Sequence, residues 1–356
     1  MRQQIRLACS LVGPTVECVT HQLPQGTVLG RVARVDRSSA QVLVDGGAAT
    51  VPTAGAGLLV GDWVALDMPS GDAHGAQPRV VTVMPRTAVL SRQSADRTAT
   101  EQGLVANVDV VLVVEPAWPR ASLGRIERLM VLAWSSGAEP VVVLTKGDLL
   151  PDVTRLVDEV EHAAPGAPVL AVSAVTGEGM DALGSLLGPR RTFVLLGPSG
   201  AGKSTLVNAL AGTPPGSPPG SPALATGDVR GDGKGRHTTT HRELVVLPDG
   251  SVLIDTPGLR AVGVVGDADA VDDVFSEIAE LAVSCRFGDC AHEREPGCEV
   301  TGAVADGRLT ERRLASWRKL QREVAYQQRR GDARAARDEK ARWKAISKAS
   351  RAYNRP

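Results

Sequence analysis

The sequence predicts an α/β domain on a parallel sheet, preceded by a small β-barrel and followed by a helical segment. Between residues 28 and 84, five short stretches of alternating hydrophobicity are separated by Gly, Pro and Asp, which is typical of a small barrel. From Asp109 onward, continuous apolar strands alternate with amphipathic helices, which indicates a parallel sheet covered on both faces. An acidic helical stretch, a cysteine cluster and a long Arg-rich helix without a predicted core close the chain.

The composition indicates a globular protein with an uneven charge distribution. Hydrophobic residues make up 43% and charged residues 22% of the 356 positions, and no apolar run is long enough to span a membrane. From Arg308 to the end, sixteen Lys or Arg stand against five Asp or Glu, so this segment carries about +11 and the rest about −11. The split predicts a basic arm that binds an anionic partner, and we expect a cytoplasmic protein.

A glycine-rich loop follows the apolar strand "RTFVLL" and precedes a helix. It matches G-x-x-x-x-G-K-[ST], so its backbone N–H groups are predicted to cradle the phosphates of a nucleotide. Lys203 is expected to reach the β- and γ-phosphates, and the Ser204 hydroxyl to bind Mg²⁺. The predicted phosphate loop consists of Gly197, Pro198, Ser199, Gly200, Ala201, Gly202, Lys203, Ser204 and Thr205.

A second phosphate-side motif, "DTPG", ends the strand "SVLI". The Asp255 carboxylate is expected to hold the Mg²⁺ shell, and the Gly258 N–H to sense the γ-phosphate. Because Asp-Thr-Pro-Gly is also good turn chemistry, the interpretation depends on its place after a phosphate loop.

Two further strand ends carry residues suited to reading a guanine base. Asp148 in "TKGD" can accept hydrogen bonds from both guanine N–H donors, a pair that adenine lacks, and Lys146 would pack its stem along the base. Thr145 stands where the usual motif has Asn, so one tethering contact is expected to change. Ser173 and Ala174 follow the next strand, at the usual place for backbone contact with the guanine oxygen. Taken alone, "TKGD" is equally consistent with an ordinary strand exit.

The order of these motifs is unusual, because the base reader precedes the phosphate loop. Parallel strands deliver their loops to one edge, so joining the original ends and cutting the chain elsewhere leaves each loop in place. The order resembles that of circularly permuted GTPases, in particular the ribosome small subunit-dependent GTPase A (RsgA/YjeQ-like) family. The resemblance also covers "VGDWV", "ANVD", "GRHTTT" and the cysteine cluster, but not the first thirty residues or the "PPGSPPGSP" insert.

The resemblance implies an α/β P-loop GTPase domain, circularly permuted, with an OB-like N-terminal barrel and a C-terminal zinc-binding helical domain. We expect the barrel at 28–88, the GTPase domain at 89–266 and the zinc domain at 267–356, with 1–27 unassigned. The implied activity is GTP hydrolysis stimulated by the small ribosomal subunit, in late maturation of that subunit through its rRNA, by a monomer. The alternative is an RNA-binding module whose nucleotide is structural; Asp148 argues against an ATPase.

The stretch "GRHTTT" lies where the first switch is expected. A Thr hydroxyl there can complete the Mg²⁺ shell, and Thr239 is favoured over Thr238 and Thr240. Leu259 occupies the position of the Gln that orients the attacking water in many GTPases, so hydrolysis is expected to be slow unless another group does this. His237 is a candidate, and could equally shape the loop or contact RNA.

The cysteine cluster has the composition of a metal site. Cys285, Cys290, His292 and Cys298 offer three thiolates and one imidazole, a complete tetrahedral ligand set for a structural Zn²⁺. A redox-active thiol cluster is the alternative. Zinc would hold together a segment that has almost no core of its own.

Two surfaces are candidates for RNA contact. The barrel offers Arg31, Arg34 and Arg37, whereas Trp63 is expected in its core. The C-terminal basic helix would neutralise RNA phosphates. Its aromatic residues could stack or dock: Trp317, Tyr326, Trp343 and Tyr353.

Overall fold

The computed structural model describes residues 23–53, 55, 57–69, 77–93, 101–212, 243–247, 249–255 and 268–331. These residues divide into two compact units. The first holds residues 23–91 and 103–255 of the described part, and the second holds 92–93, 101–102 and 268–331.

The five strands predicted for the barrel are all present in the first unit. They are β1 (Val28–Val35), β2 (Ser39–Val44), β3 (Gly47–Pro52), β4 (Trp63–Asp67) and β5 (Arg79–Val83). They pair in the antiparallel order β3-β2-β1-β4-β5, and the two terminal strands, β3 and β5, contact each other. Inward-facing side chains such as Val32, Val42 and Leu66 form a separate apolar core.

A parallel sheet follows, as the alternating pattern predicts. Its strands are β8 (Val110–Pro116), β9 (Glu139–Thr145), β10 (Val169–Val172), β11 (Thr192–Leu196), β12 (Glu243–Val246) and β13 (Val252–Asp255). The order is β10-β9-β8-β11-β13-β12, with only β12 antiparallel to its neighbour. Its helices are α1 (Leu123–Ser135), α2 (Thr154–Ala163), α3 (Met180–Leu187) and α4 (Lys203–Leu210).

The barrel and the parallel sheet share a continuous ladder. On one edge β1 pairs first with β4 and then, at Arg34, with Glu243 of β12, which makes one sheet of eleven strands. Arg31 is buried at this junction, where its Nη2 donates to the Asn107 carbonyl (3.1 Å) and to the Thr192 hydroxyl (2.7 Å). Burial lowers the pKa of Arg31 to about 10. The prediction that Arg31 lies on an RNA-binding face is therefore wrong, because its charge is used inside the protein.

A connecting stretch of chain joins the barrel to the parallel sheet. It contains β6 (Val89–Gln93) and β7 (Glu101–Ala106), which form a two-stranded sheet. β7 continues to Asn107, whose side chain accepts from the Thr87 N–H and donates to the Gly61 carbonyl. These bonds explain why "ANVD" carries an Asn in a left-handed conformation (φ 54°).

The second unit is helical and has a core. Its helices are α5 (Ala268–Val274), α6 (Ser276–Val283), α7 (Glu299–Ala305) and α8 (Glu311–Gly331). Leu314, Leu320 and Val324 of α8 are buried, so the expectation that the basic helix lacks a core is wrong for about its first four turns. Residues 332–356, with Trp343 and Tyr353, lie outside the described residues. No helix in the described ranges is long and apolar enough to cross a bilayer.

Gly61 provides a stability test of the barrel junction. Its φ is +92°, and a Cβ there would lie 2.2 Å from the Ala106 carbonyl oxygen. We expect Gly61→Ala to lower the free energy of unfolding by about 2–4 kcal/mol in urea denaturation, because strain and a backbone clash combine. As a control, Gly47→Ala should change it by less than about 0.5 kcal/mol, since a Cβ there meets nothing within 4 Å. Equal effects of the two substitutions would contradict this assignment.

Candidate nucleotide-binding site and metal centre

The predicted phosphate loop connects β11 to α4. A Cβ on Gly197 would lie 2.1 Å from the Val114 carbonyl oxygen, so the first glycine is required by close approach to β8. Gly202 has φ +84° and immediately precedes α4. The two glycines thus turn the chain sharply from the buried strand into the helix.

The predicted phosphate loop presents backbone N–H groups that are available to a ligand. The backbone N–H groups of Ser199, Gly200 and Gly202 have no partner within the described residues, which is the arrangement of an anion-binding nest. The Lys203 ammonium is held in the loop, where it donates to the carbonyls of Gly197 (2.8 Å) and Pro198 (2.7 Å). Ser204 is exposed at the start of α4. The loop can therefore receive phosphate oxygens without breaking any hydrogen bond of those three donors.

The predicted base reader is tied to this loop. Thr145, the last residue of β9, is buried and its hydroxyl donates to the Ala201 carbonyl at 2.6 Å. The Thr145 hydroxyl therefore tethers the loop after β9 to the phosphate loop. Lys146 follows in a left-handed conformation (φ 61°), and Asp148 is exposed in a single 3₁₀ turn. Its carboxylate is free to accept hydrogen bonds from a ligand.

The loop after β10 completes the same edge. Ser173 is buried, and its Oγ accepts from the backbone N–H groups of Val175 (3.3 Å) and Thr176 (3.1 Å). The Ala174 N–H, which directly precedes these two donors in sequence, has no partner in the described part of the chain. The Ser173 turn therefore leaves one backbone donor for a ligand oxygen.

The remaining predicted residues are placed only in part. Asp255 ends β13, next to β11 in the sheet, so its backbone is at the same edge as the phosphate loop. Thr239, His237 and Gly258 lie outside the described residues, and their roles remain predictions.

Sequence reasoning missed the support beneath these loops. Glu115 of β8 is fully buried and accepts from the Ser122 N–H (2.8 Å) and the Arg125 Nε (2.7 Å). The hydrogen bond to Glu115 raises the pKa of Arg125. The Ala117 N–H donates to the Thr145 carbonyl at 2.8 Å, so the loop after β8 is fixed to the base reader. A carboxylate inside the apolar run "VVLVVEP" was the available signal.

The four predicted metal ligands converge in the second unit. Ligand atoms of Cys285, Cys290, His292 and Cys298 all lie within 4.8 Å of one another. Cys285 Sγ is 3.9 Å from Cys298 Sγ, and His292 Nδ1 is 3.4 and 3.5 Å from these two sulfurs. Tetrahedral Zn²⁺ with ordinary bond lengths requires separations of about 3.5–3.8 Å. The cluster therefore fits zinc, which His292 would ligate through Nδ1.

Residues around the cluster fix its loop. The Glu295 carboxylate accepts from the N–H groups of Ala291 (3.0 Å), Glu293 (2.8 Å) and Arg294 (3.0 Å). Hydrogen bonds from backbone N–H groups lower the pKa of the Glu295 carboxyl to about 2, and the largest contribution comes from the N–H of Glu295 itself. Arg318 of α8 donates to the His292 carbonyl, and the Trp317 ring lies edge-on to the imidazole at 5.6 Å. The contacts of α8 thus fix the position of the loop that carries His292.

The tether between the two nucleotide loops gives a direct test. Thr145→Val keeps the shape but leaves the Ala201 carbonyl buried without its donor. We expect it to weaken binding of a fluorescent GTP analogue about tenfold, measured by titration. Thr145→Ser, which keeps the hydroxyl, should bind within about threefold of the natural protein. Equal affinity of the Val variant would show that the tether does not position the loops.

The metal centre gives a second test. We expect mass spectrometry of the purified natural protein to show one zinc per chain. The zinc content of Cys285→Ala should be less than about a tenth of this value. Since the phosphate loop lies in the first unit, GTP binding should persist in the variant. Cys18→Ala, outside the cluster, is the control and should keep its zinc. Zinc retained by Cys285→Ala would contradict the ligand assignment.

Known structures share this architecture. The crystal structure of YjeQ from Thermotoga maritima is 27% identical and superposes with a TM-score of 0.60, covering 84% of this chain and 99% of that one. The crystal structure of YloQ, a circularly permuted GTPase, has a TM-score of 0.58 at 23% identity and covers 85% and 96% of the two chains. The second supports the fold alone.

Comparison of the sequence with known families and proteins gives the same relatives. The profile described as RsgA GTPase matches residues 83–265. The small ribosomal subunit biogenesis GTPase RsgA of Streptomyces avermitilis is 49% identical, over 90% of this chain and 86% of its own. The protein of the same name from Streptomyces coelicolor is 47% identical, over 92% and 89%. With its motif order, its strand order and its Cys₃His cluster, the chain belongs to the RsgA GTPase family.

Proposed function

We propose that the protein is a GTPase that hydrolyses GTP to GDP and phosphate, is stimulated by the small ribosomal subunit, and acts in late maturation of that subunit through its rRNA. One observation carries the proposal: the Thr145 hydroxyl joins the base-reading loop to a phosphate loop with unused N–H donors. The names of the Streptomyces relatives support the ribosomal role.

The site assigns a separate task to each loop. The N–H groups of the phosphate loop and the Lys203 ammonium would bind the triphosphate, and they stabilise the charge that develops during transfer. Asp148 would accept from the two guanine N–H donors, while the Ala174 N–H donates to the guanine oxygen. Lys146 would cover one face of the base. Base and phosphates are thus positioned by one connected set of hydrogen bonds.

Two further roles are the binding of Mg²⁺, which needs oxygen ligands, and the orientation of the attacking water. The Ser204 hydroxyl, the Thr239 hydroxyl and the Asp255 carboxylate are the proposed Mg²⁺-binding groups, and oxygen donors are those the ion prefers. When bound, Mg²⁺ neutralises charge on the β- and γ-phosphates. His237 is proposed to orient the water, because Leu259 has no polar group.

The N-terminal barrel and the C-terminal helical unit are proposed to bind RNA. The strand order of the barrel supports an OB-type assignment, with exposed Arg37 at the β1–β2 turn. The structural Zn²⁺ on the Cys₃His cluster would stabilise the base of the basic helix. We propose domains at 28–88, 89–266 and 267–356 in a cytoplasmic monomer.

Base selection tests the nucleotide assignment. Asp148→Asn replaces an acceptor pair by a donor and an acceptor, which suits xanthine rather than guanine. We expect GTP affinity to fall at least about a hundredfold and XTP affinity to rise, measured by competition against a fluorescent nucleotide. Asp152→Asn, four residues further along in the segment before α2, is a matched control and should leave the preference unchanged. An unaltered preference in Asp148→Asn would refute the base reader.

Stimulation tests the biological assignment. We expect slow GTP hydrolysis by the protein alone and an increase of at least about tenfold when purified small subunits are titrated in. Large subunits at the same concentrations are the control, and should give little stimulation. Equal stimulation by both subunits, or by neither, would count against the function and favour an RNA-binding module with a structural nucleotide.

A further inference from the structure

The loop between β8 and α1, residues 117–122, carries two large exposed side chains. The Trp118 side chain is 48% exposed, and Arg120 is exposed as well. Neither makes a hydrogen bond, ion pair or ring contact within the described residues. By contrast, Trp63 lies beneath the Arg31 guanidinium and Trp317 contacts His292.

The loop is held rigidly at both ends. Ala117 is buried and bonded to the Thr145 carbonyl, and the Ser122 N–H is bonded to the buried Glu115 carboxylate. Arg125 completes the Glu115 pair from the first turn of α1. A side chain displayed on a fixed loop loses little conformational entropy when a partner binds, so Trp118 is suited to recognition.

The chemistry of the pair favours a nucleic-acid strand. An exposed indole ring offers a face on which an unpaired base can stack, and an unpaired guanidinium two residues away can bind a phosphate. A protein partner would require a wider apolar surface. Trp118 is the one exposed large hydrophobic residue of the loop 117–122, which the structure describes throughout.

We propose that Trp118 and Arg120 form a docking site for single-stranded RNA of the small ribosomal subunit, with a base on the indole and a phosphate on the guanidinium. The proposal rests on the proposed function, because it takes the small subunit as the source of the RNA.

The position of the loop allows bound RNA to act on the nucleotide. The Ala117 N–H donates to the Thr145 carbonyl, and the Thr145 hydroxyl donates to the Ala201 carbonyl. Two hydrogen bonds therefore connect the docking loop to the base reader and to the phosphate loop. RNA that shifts Ala117 would change the spacing of the two loops that hold GTP.

The experiment is a titration of GTP hydrolysis with purified small subunits. Trp118→Ala should leave hydrolysis without subunits unchanged but raise the half-stimulating subunit concentration about tenfold, because a stacking platform is lost. Trp118→Phe, which keeps an aromatic face, should lie much closer to the natural protein. Arg120→Gln should raise the same concentration and weaken its dependence on salt, because one phosphate contact is lost.

Matched controls separate the site from general surface effects. Leu186→Ala removes an exposed apolar side chain of α3, and Arg155→Gln removes an exposed charge of α2. Both should behave as the natural protein does. An unchanged half-stimulating concentration in Trp118→Ala, or an equal increase in the controls, would overturn the proposal.

A second measurement distinguishes RNA from a protein partner. A single-stranded oligouridylate should quench the tryptophan fluorescence of the natural protein more than that of Trp118→Phe. Equal quenching would overturn the RNA assignment even if Trp118→Ala impairs stimulation, since the indole would then contact a ribosomal protein. If the natural protein is not stimulated by small subunits at all but quenching still depends on Trp118, the proposed function fails while RNA docking stands.

Discussion

The hydrogen bond from the Thr145 hydroxyl to the Ala201 carbonyl joins two loops that are 56 positions apart in the chain. It forms because β9 and β11 flank β8 in a parallel sheet, so their carboxyl ends reach the same edge. The order of the strands in space, not along the chain, therefore decides whether a nucleotide site exists. A circular permutation moves the termini, and it would leave this edge and a nucleotide site on it intact.

The barrel and the second unit are stabilised by different kinds of contact. The barrel is secured to the sheet by the β1–β12 ladder and by buried Arg31, whose hydrogen bonds to Asn107 and Thr192 offset part of the cost of burying a charge. The second unit has short helices and a ligand loop rich in turns, which the contacts of α8 stabilise. Zn²⁺ on the Cys₃His cluster would stabilise it further. In both cases polar contacts define the geometry where apolar area is limited.

Strands, helices and the metal ligands could be predicted from the sequence because each has a local pattern: alternation, continuous apolar runs, or a complete ligand set. The phosphate loop could be predicted for the same reason. Contacts between distant segments could not, and the errors fall there. In the sequence Arg31 resembles a surface charge, but its partners Asn107 and Thr192 lie 76 and 161 positions away. The buried side chains of α8 likewise become apparent only when the helix packs. Thr145 shows the same limit of the sequence, because its hydrogen bond joins two loops that are 56 positions apart.

The measurement that tests this account most directly is a crystal structure with Mg²⁺ and a non-hydrolysable GTP analogue. The account predicts one nucleotide at the edge of the sheet, with its guanine on Asp148 and the Ala174 N–H and its phosphates on the loop from Gly197 to Ser204. The bond between Thr145 and Ala201 should be intact. A nucleotide whose phosphates occupy the loop while its base lies away from Asp148 would contradict the central claim that the permuted chain rebuilds one guanine site.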